Sequence, residues 1–301
     1  MALSRIVVRE RGPLRLRVRV EREWGNSTLS EEYILDHDAR TLRVDVALDW
    51  REKAHLLKLR FPTALTAPRA TFEIPFGHIE RPVDGAEEPA QAWVDLTGEI
   101  DGTPAGLTVI TTNKHGYDVL PGACPSIGIT AVRSPVYSWH DPRLLDTDGI
   151  YTFQDQGQQR FSYELVPHRG DWREAEPTRR AHELGDPVRA MLESSHPGVL
   201  PRRHSYATDR AGAVMVTAVK GSEDDASADL VVRAVETRGG TATSHIELPL
   251  LGRVIEEEFG PSQIRTFRVP ADASQPVVEV DLLEWPLQDD GAEQAAEASR
   301  P

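Results

Sequence analysis

The chain holds a single cysteine, Cys124, in 301 residues. That excludes an internal disulfide framework and a cysteine-built metal cluster, and it suits a reducing compartment. No apolar run approaches the ~20 residues of a membrane-crossing helix, so no membrane partner is expected. The opening "MALSRIVVRERGP" lacks the apolar core and small-residue cleavage site of a secretory leader, and a soluble cytoplasmic protein is expected. Basic residues are also in deficit, 34 Lys and Arg against 48 Asp and Glu. A net charge of −14 excludes a nucleic-acid partner, because phosphate recognition needs clustered positive charge.

Catalytic signatures are missing as well. There is no HExxH, no GxSxG, no P-loop and no GxGxxG behind a strand, and the ten histidines are scattered. A catalytic zinc needs about three ligands on rigid elements. No catalytic residue and no metal ligand is therefore assigned within this chain.

What is present is period-two alternation. In "PLRLRVRVERE", Leu14, Leu16, Val18 and Val20 alternate with Arg15, Arg17, Arg19 and Glu21, the pattern of a strand with one apolar and one charged face. Similar runs recur at 31–37, 41–50, 54–62, 70–76, 92–97, 106–112, 126–134 and 159–168, most of them separated by Gly, Pro, Asn or Asp. The fold class is all-β, with two packed sheets in the first part. Residues 171–205 break the pattern with prolines, charges and one short helical stretch near 175–184, and read as a segment that covers a sheet edge or joins two modules. Six further strands between 213 and 285 predict a small β-sandwich. The expected division is 1–185, a linker at 186–211, 212–286, and a disordered acidic tail at 287–301.

Three polar clusters stand out. "FEIPFGHIERP" places His78, Glu80 and Arg81 just after a bend at Gly77. "TNKHGYD" offers Asn113, Lys114, His115 and Tyr117 on a loop leaving a strand, donors and an aromatic face that suit sugar recognition. In "YSWHDP", Trp139 could stack on a sugar ring. Each cluster reads equally as an ordinary polar loop closed by local hydrogen bonds.

Taken in order, "GPLRLRVRVEREWGNSTL", "ATFEIPFGHIERP", "WVDLT", "GLTVITTNKHGYDV", "AVRSPVYSWHDP", "QDQGQQRFSYELVPHRGDW", "SQIRTFRVP" and "EVDLLEW" resemble the C-terminal half of glycoside hydrolase family 38, the retaining α-mannosidases. The resemblance covers roughly residues 5–285. It implies a galactose-mutarotase-like β-supersandwich followed by a small β-sandwich. It also implies that zinc, the nucleophile and the acid belong to a preceding catalytic domain, the expected partner in cis or in trans. The family's "NDCKYG"-like loop has Thr112 here in place of its aspartate. On that resemblance Asn113, Lys114, His115, Tyr117 and Trp139 are substrate-binding candidates, and His78, Glu80 and Arg81 are structural or interface residues. A stand-alone carbohydrate-binding module is one alternative function. A sugar epimerase using His78, Glu80 and His115 is another.

Overall fold

Alternating apolar residues dictate strands, and the computed structural model forms them almost throughout. It describes residues 1–137, 144–146, 148–199, 201–210, 212–223 and 228–287. The chain divides into two compact units, Met1–Ala190 and Met191–Pro301.

The first unit is built on an antiparallel nine-stranded sheet. Its spatial order is β1 (Ala2–Arg11), β2 (Arg15–Trp24), β3 (Ser27–Asp36), β4 (Leu42–Trp50), β13 (Gly157–Arg169), β10 (Thr103–Thr111), β9 (Trp93–Ile100), β6 (Thr66–Ile74) and β7 (Gly77–Arg81). A second sheet of four strands runs β5 (Leu56–Pro62), β12 (Ser126–Arg133), β11 (Gly116–Leu120) and β8 (Glu88–Pro89). Alternation fixes which side chains meet between them: Val44, Val46, Leu48 and Trp50 of β4 and Phe161 and Tyr163 of β13 point inward. They pack with Tyr117, Val119, Ile127 and Ile129 from the smaller sheet, all nearly inaccessible to water.

The opposite face of the larger sheet is covered too, though over only part of its width. A 3₁₀ turn, Trp172–Ala175, and helix α1 (Pro177–Gly185) lie over β9, β10 and β13. Asp171 caps the turn by accepting from the Arg173 N–H, 3.0 Å away. Trp172, Ala175 and Ala181 close a second core with Trp93, Ile110 and Val166. The 171–205 segment thus begins by covering a sheet face, whereas the sequence reading has it cover a sheet edge or join two modules. Trp93 and Trp172 stack with ring centroids 5.2 Å apart, and Trp93 Nε1–H donates to Thr178 Oγ1 at 3.1 Å.

The second unit contains a three-stranded sheet, β14 (Thr208–Asp209), β17 (Ala242–Leu248) and β18 (Arg253–Phe259). Its companion sheet runs β15 (Val214–Gly221), β16 (Leu230–Glu236), β19 (Ile264–Val269) and β20 (Val278–Val280). Val214, Val232, Ile246, Phe259 and Phe267 fill its core. Arg265 lies over both phenylalanine rings and pairs with Glu257 and Glu279.

Candidate functional site

The "TNKHGYD" residues join β10 of the larger sheet to β11 of the smaller one, so they serve the crossing before anything else. Tyr117 points into the core with no accessible surface, and its hydroxyl donates to the Lys114 carbonyl at 2.8 Å. Burial holds that phenol protonated, well above its usual range. Lys114 is half-buried, with Nζ 3.0 Å from Gln159 Oε1 and 4.8 Å over the Phe161 ring. Loss of water lowers its pKa, with the nearby Asp155 charge opposing the shift. His115 is exposed and Nδ1 lies 2.7 Å from the Gln91 carbonyl, so Nδ1 carries the proton and Nε2 faces solvent. Asn113 is exposed and donates to the Arg160 carbonyl at 3.4 Å. Trp139 lies outside the described residues. Asn113, Lys114 and His115 lie between β10 and β11 and Tyr117 lies within β11, and the four point to different places.

The 72–82 stretch is the β6–β7 hairpin, turning at Pro75 and Phe76, with Phe76 in the left-handed region at φ 55°. His78 sits opposite Glu73 and its ring lies 4.6 Å from Trp172. Glu80 is exposed and 3.9 Å from Arg69. Arg81 covers the Phe72 ring at 4.9 Å and reaches Glu88 at 3.6 Å.

Glu73 is not among the candidate residues read from the sequence. It is buried beneath α1, accepting from the Ala92 N–H at 2.8 Å, with Thr178 Oγ1 at 3.4 Å. Burial pushes its carboxyl up to about 7 despite those bonds. Asp95 and His168 form a second buried polar group on this face, with His168 Nε2 2.7 Å from Asp95 Oδ2. Thr97 and Thr108 hydroxyls donate to the same carboxylate, each at 2.6 Å. Burial works against charge on His168, but its bond and ion pair to Asp95 outweigh that and raise its pKa. Only a strand's alternation was available to place these residues, and in "FEIPF" it sets Glu73 on the face opposite Phe72 and Ile74, away from the main core.

Beyond the reach of α1, the outer face of β2, β3, β4 and β13 forms an open hollow of about 510 Å³. Register sets its composition: Arg19 lies opposite Glu32, Glu32 opposite Asp45, and Asp45 opposite Ser162. Like charges directly opposite are unfavourable, and arginines offset them. Arg17 and Arg19 hold Glu32, while Arg43 holds Asp45 at 3.0 Å. Ala47 and Ser30 leave the floor low, and Arg160 and Asn113 stand at the rim. Interleaved donors and acceptors of this kind recognise polar ligands. Both carboxylates are tied to guanidinium groups, an arrangement for binding and not for passing a proton.

Among the described residues, no three His, Cys, Asp or Glu side chains cluster as metal ligands, and no helix is long and apolar enough to cross a membrane. The side chains here do not compose a zinc site, so no step is assigned to zinc on these residues.

The model of the glycosyl hydrolases family 38 C-terminal domain matches residues 2–143. Those residues belong to that family. Over 232 residues this chain is 29% identical to "Alpha-mannosidase 2C1" of Mus musculus, covering 74% of this chain and 20% of the relative. Over 258 residues it is 29% identical to "Alpha-mannosidase G" of Dictyostelium discoideum, covering 80% of this chain and 22% of that protein. The chain thus spans about a fifth of the length of the relatives it matches. A solved α-mannosidase from Enterococcus faecalis V583 superposes with a TM-score of 0.70 at 19% identity, covering 89% of this chain and 35% of the other. That likeness supports the fold, an all-β region of the family 38 kind.

Proposed function

We propose that this chain is the β-sheet portion of a retaining, zinc-dependent α-mannosidase. Its task is to bind and position the catalytic domain that carries the zinc ion and the reacting carboxylates. One observation carries the reading. The four-stranded sheet ends at β5, and beyond it, among the described residues of the first unit, the inner face of β1 and of the adjoining ends of β2 and β3 is left exposed. Ile6 lies opposite Val20, Val8 opposite Val18, and Leu16 opposite Leu35, on the same face that buries Leu29 and Val44 further along the sheet. Leu3, Ile6, Val8, Leu16 and Leu35 are 40–60% exposed. A contiguous apolar face of this kind marks a protein contact.

At the seam beside β5 lies a hollow of about 380 Å³, walled by Met1, Tyr33, Leu57 and Leu165 with Arg22 and Glu31 at its polar end. It would take an inserted side chain. On this same face Arg11 lies opposite Leu16 and Arg22 opposite Leu3. The partner surface that complements the hairpin is therefore apolar with an acidic border.

Mixing the purified chain with a separately produced α-mannosidase catalytic domain, and assaying an aryl α-mannoside, tests the reading. The chain alone should give no turnover, and adding it to the domain should yield a complex and a higher rate. Absence of a complex, or robust turnover by the lone chain, contradicts it.

A second reading, carbohydrate binding, is favoured by the 510 Å³ hollow with Arg160 and Asn113 at its rim. Titration with methyl α-mannoside should give weak binding that Arg160→Ala abolishes, and an unchanged Arg160→Ala isotherm would count against it.

A further inference from the structure

The charges around the outer-face hollow pair off and leave one over. Along β4 this face carries Arg43, Asp45, Ala47 and Asp49. Arg43 lies 3.0 Å from Asp45, and Arg51 lies 2.7 Å from Asp49. Arg17 and Arg19 hold Glu32 on the neighbouring strand. Each of these carboxylates therefore has a guanidinium of its own. Arg160 stands opposite Ala47, between Gln158 and Ser162, which lie opposite Asp49 and Asp45. It is exposed, and its guanidinium makes no ion pair or hydrogen bond among the described residues. The same cross-strand row continues through Ser30 to Glu21, and Glu21 lies opposite Arg5 on its other side.

The rest of the lining decides what that free guanidinium can hold. Phe161, the one aromatic residue of the lining, is buried in the core with Lys114 over its ring, so the hollow offers no aromatic platform. A neutral sugar laid there exchanges hydrogen bonds with water for hydrogen bonds with protein, a small net gain. A guanidinium instead meets a phosphate or carboxylate through two parallel, charge-assisted bonds of roughly twice the strength. Groups suited to hydroxyls surround it. Ser30 and Thr112 contribute their own, and Asp45 Oδ2, engaged by Arg43 at 3.3 Å, keeps a lone pair for a donor.

We infer that the hollow takes an acidic sugar, its phosphate or carboxylate on the Arg160 fork and its hydroxyls toward Ser30, Thr112 and Asp45. The inference rests on the carbohydrate-binding reading above and names the ligand class for that site. Charge complementarity selects it: the acids lining the hollow are already neutralised, and Arg160 is the cation left to recruit an anion.

Isothermal titration with mannose 6-phosphate, mannuronate, methyl α-mannoside and inorganic phosphate, for wild type, Arg160→Lys and Arg160→Ala, tests it. Arg160 is exposed and unpaired, so both variants should fold, checked by unchanged thermal unfolding. At least one acidic sugar should bind tenfold or more tightly than methyl α-mannoside, and more weakly as sodium chloride is raised. Arg160→Lys should be intermediate and Arg160→Ala should not bind. Equal affinity for acidic and neutral sugars, lost in Arg160→Ala, overturns this inference and leaves the carbohydrate reading standing. Acidic sugars held as tightly by Arg160→Ala as by wild type, or no binding of any sugar, removes both. Inorganic phosphate that binds as tightly as mannose 6-phosphate reduces the site to an anion contact and overturns the sugar assignment.

Discussion

Glu73 shows what a single residue contributes and conceals. Its carboxyl titrates near 4.5 when solvated and near 7 in place. The folded state holds the proton more tightly than the unfolded one. Its stabilisation is therefore fully present below about pH 4.5 and is lost as the pH rises through about 7. A shift of that size corresponds to on the order of 3 kcal/mol. His168, also raised, adds a slope of the same sign, present below its solvated value of 6.5 and lost above its folded one. Denaturant melts between pH 4.5 and 8 should show Glu73→Gln flattening the fall in stability and gaining stability at pH 8. An unchanged slope would remove the argument. Gly106 supplies a second test. A Cβ there would lie 2.3 Å from His168 Cε1 and 3.0 Å from the Leu96 carbonyl, so Gly106→Ala should displace the imidazole from Asp95. A loss of about 1–3 kcal/mol is expected, read as a lower denaturation midpoint. Nothing in the alternation of "WVDLTGEI" announced that Asp95 would be buried, because its three partners come from β9, β10 and β13.

At the scale of elements, period two made nearly every strand legible, from β2 in "RLRVRVEREW" to β19 in "IRTFRV". It could not say which apolar face would find cover. Leu16 and Leu48 sit in equally clear alternations, yet Leu48 is buried under the second sheet and Leu16 is exposed beside β1. The difference is set by where β5 lies, a long-range fact. The loops were less legible still. Lys114 and Tyr117 read as a polar face for a ligand, whereas burial of Tyr117 makes it a fastener for the crossing between sheets. Two substitutions separate cover from structure. Trp172→Ala removes the ring that packs on Trp93 and His78 and should cost about 3–5 kcal/mol. Ile6→Ser with Val8→Ser, on the uncovered face, should change the unfolding midpoint little in the isolated chain. Strong destabilisation by the pair would mean that face is already covered.

At the scale of the whole molecule, the proposed reading assigns the breaking of the glycosidic bond to a partner domain. Retaining hydrolysis calls for two carboxyl groups about 5–5.5 Å apart, one as nucleophile and one as acid. In the outer-face hollow Glu32 and Asp45 are held by arginines and serve as acceptors. The surfaces left open among the described residues include the apolar face of the β1–β2 hairpin in one unit and the exposed apolar side chains of residues 282–287 in the other. Hydrogen–deuterium exchange of the chain, alone and with a catalytic α-mannosidase domain, reads the first of these directly. The account predicts slowed exchange concentrated in residues 2–24 on adding the domain, with the α1 region unchanged. Exchange across 2–24 that is the same with and without the domain, at concentrations where a complex is present, would contradict it.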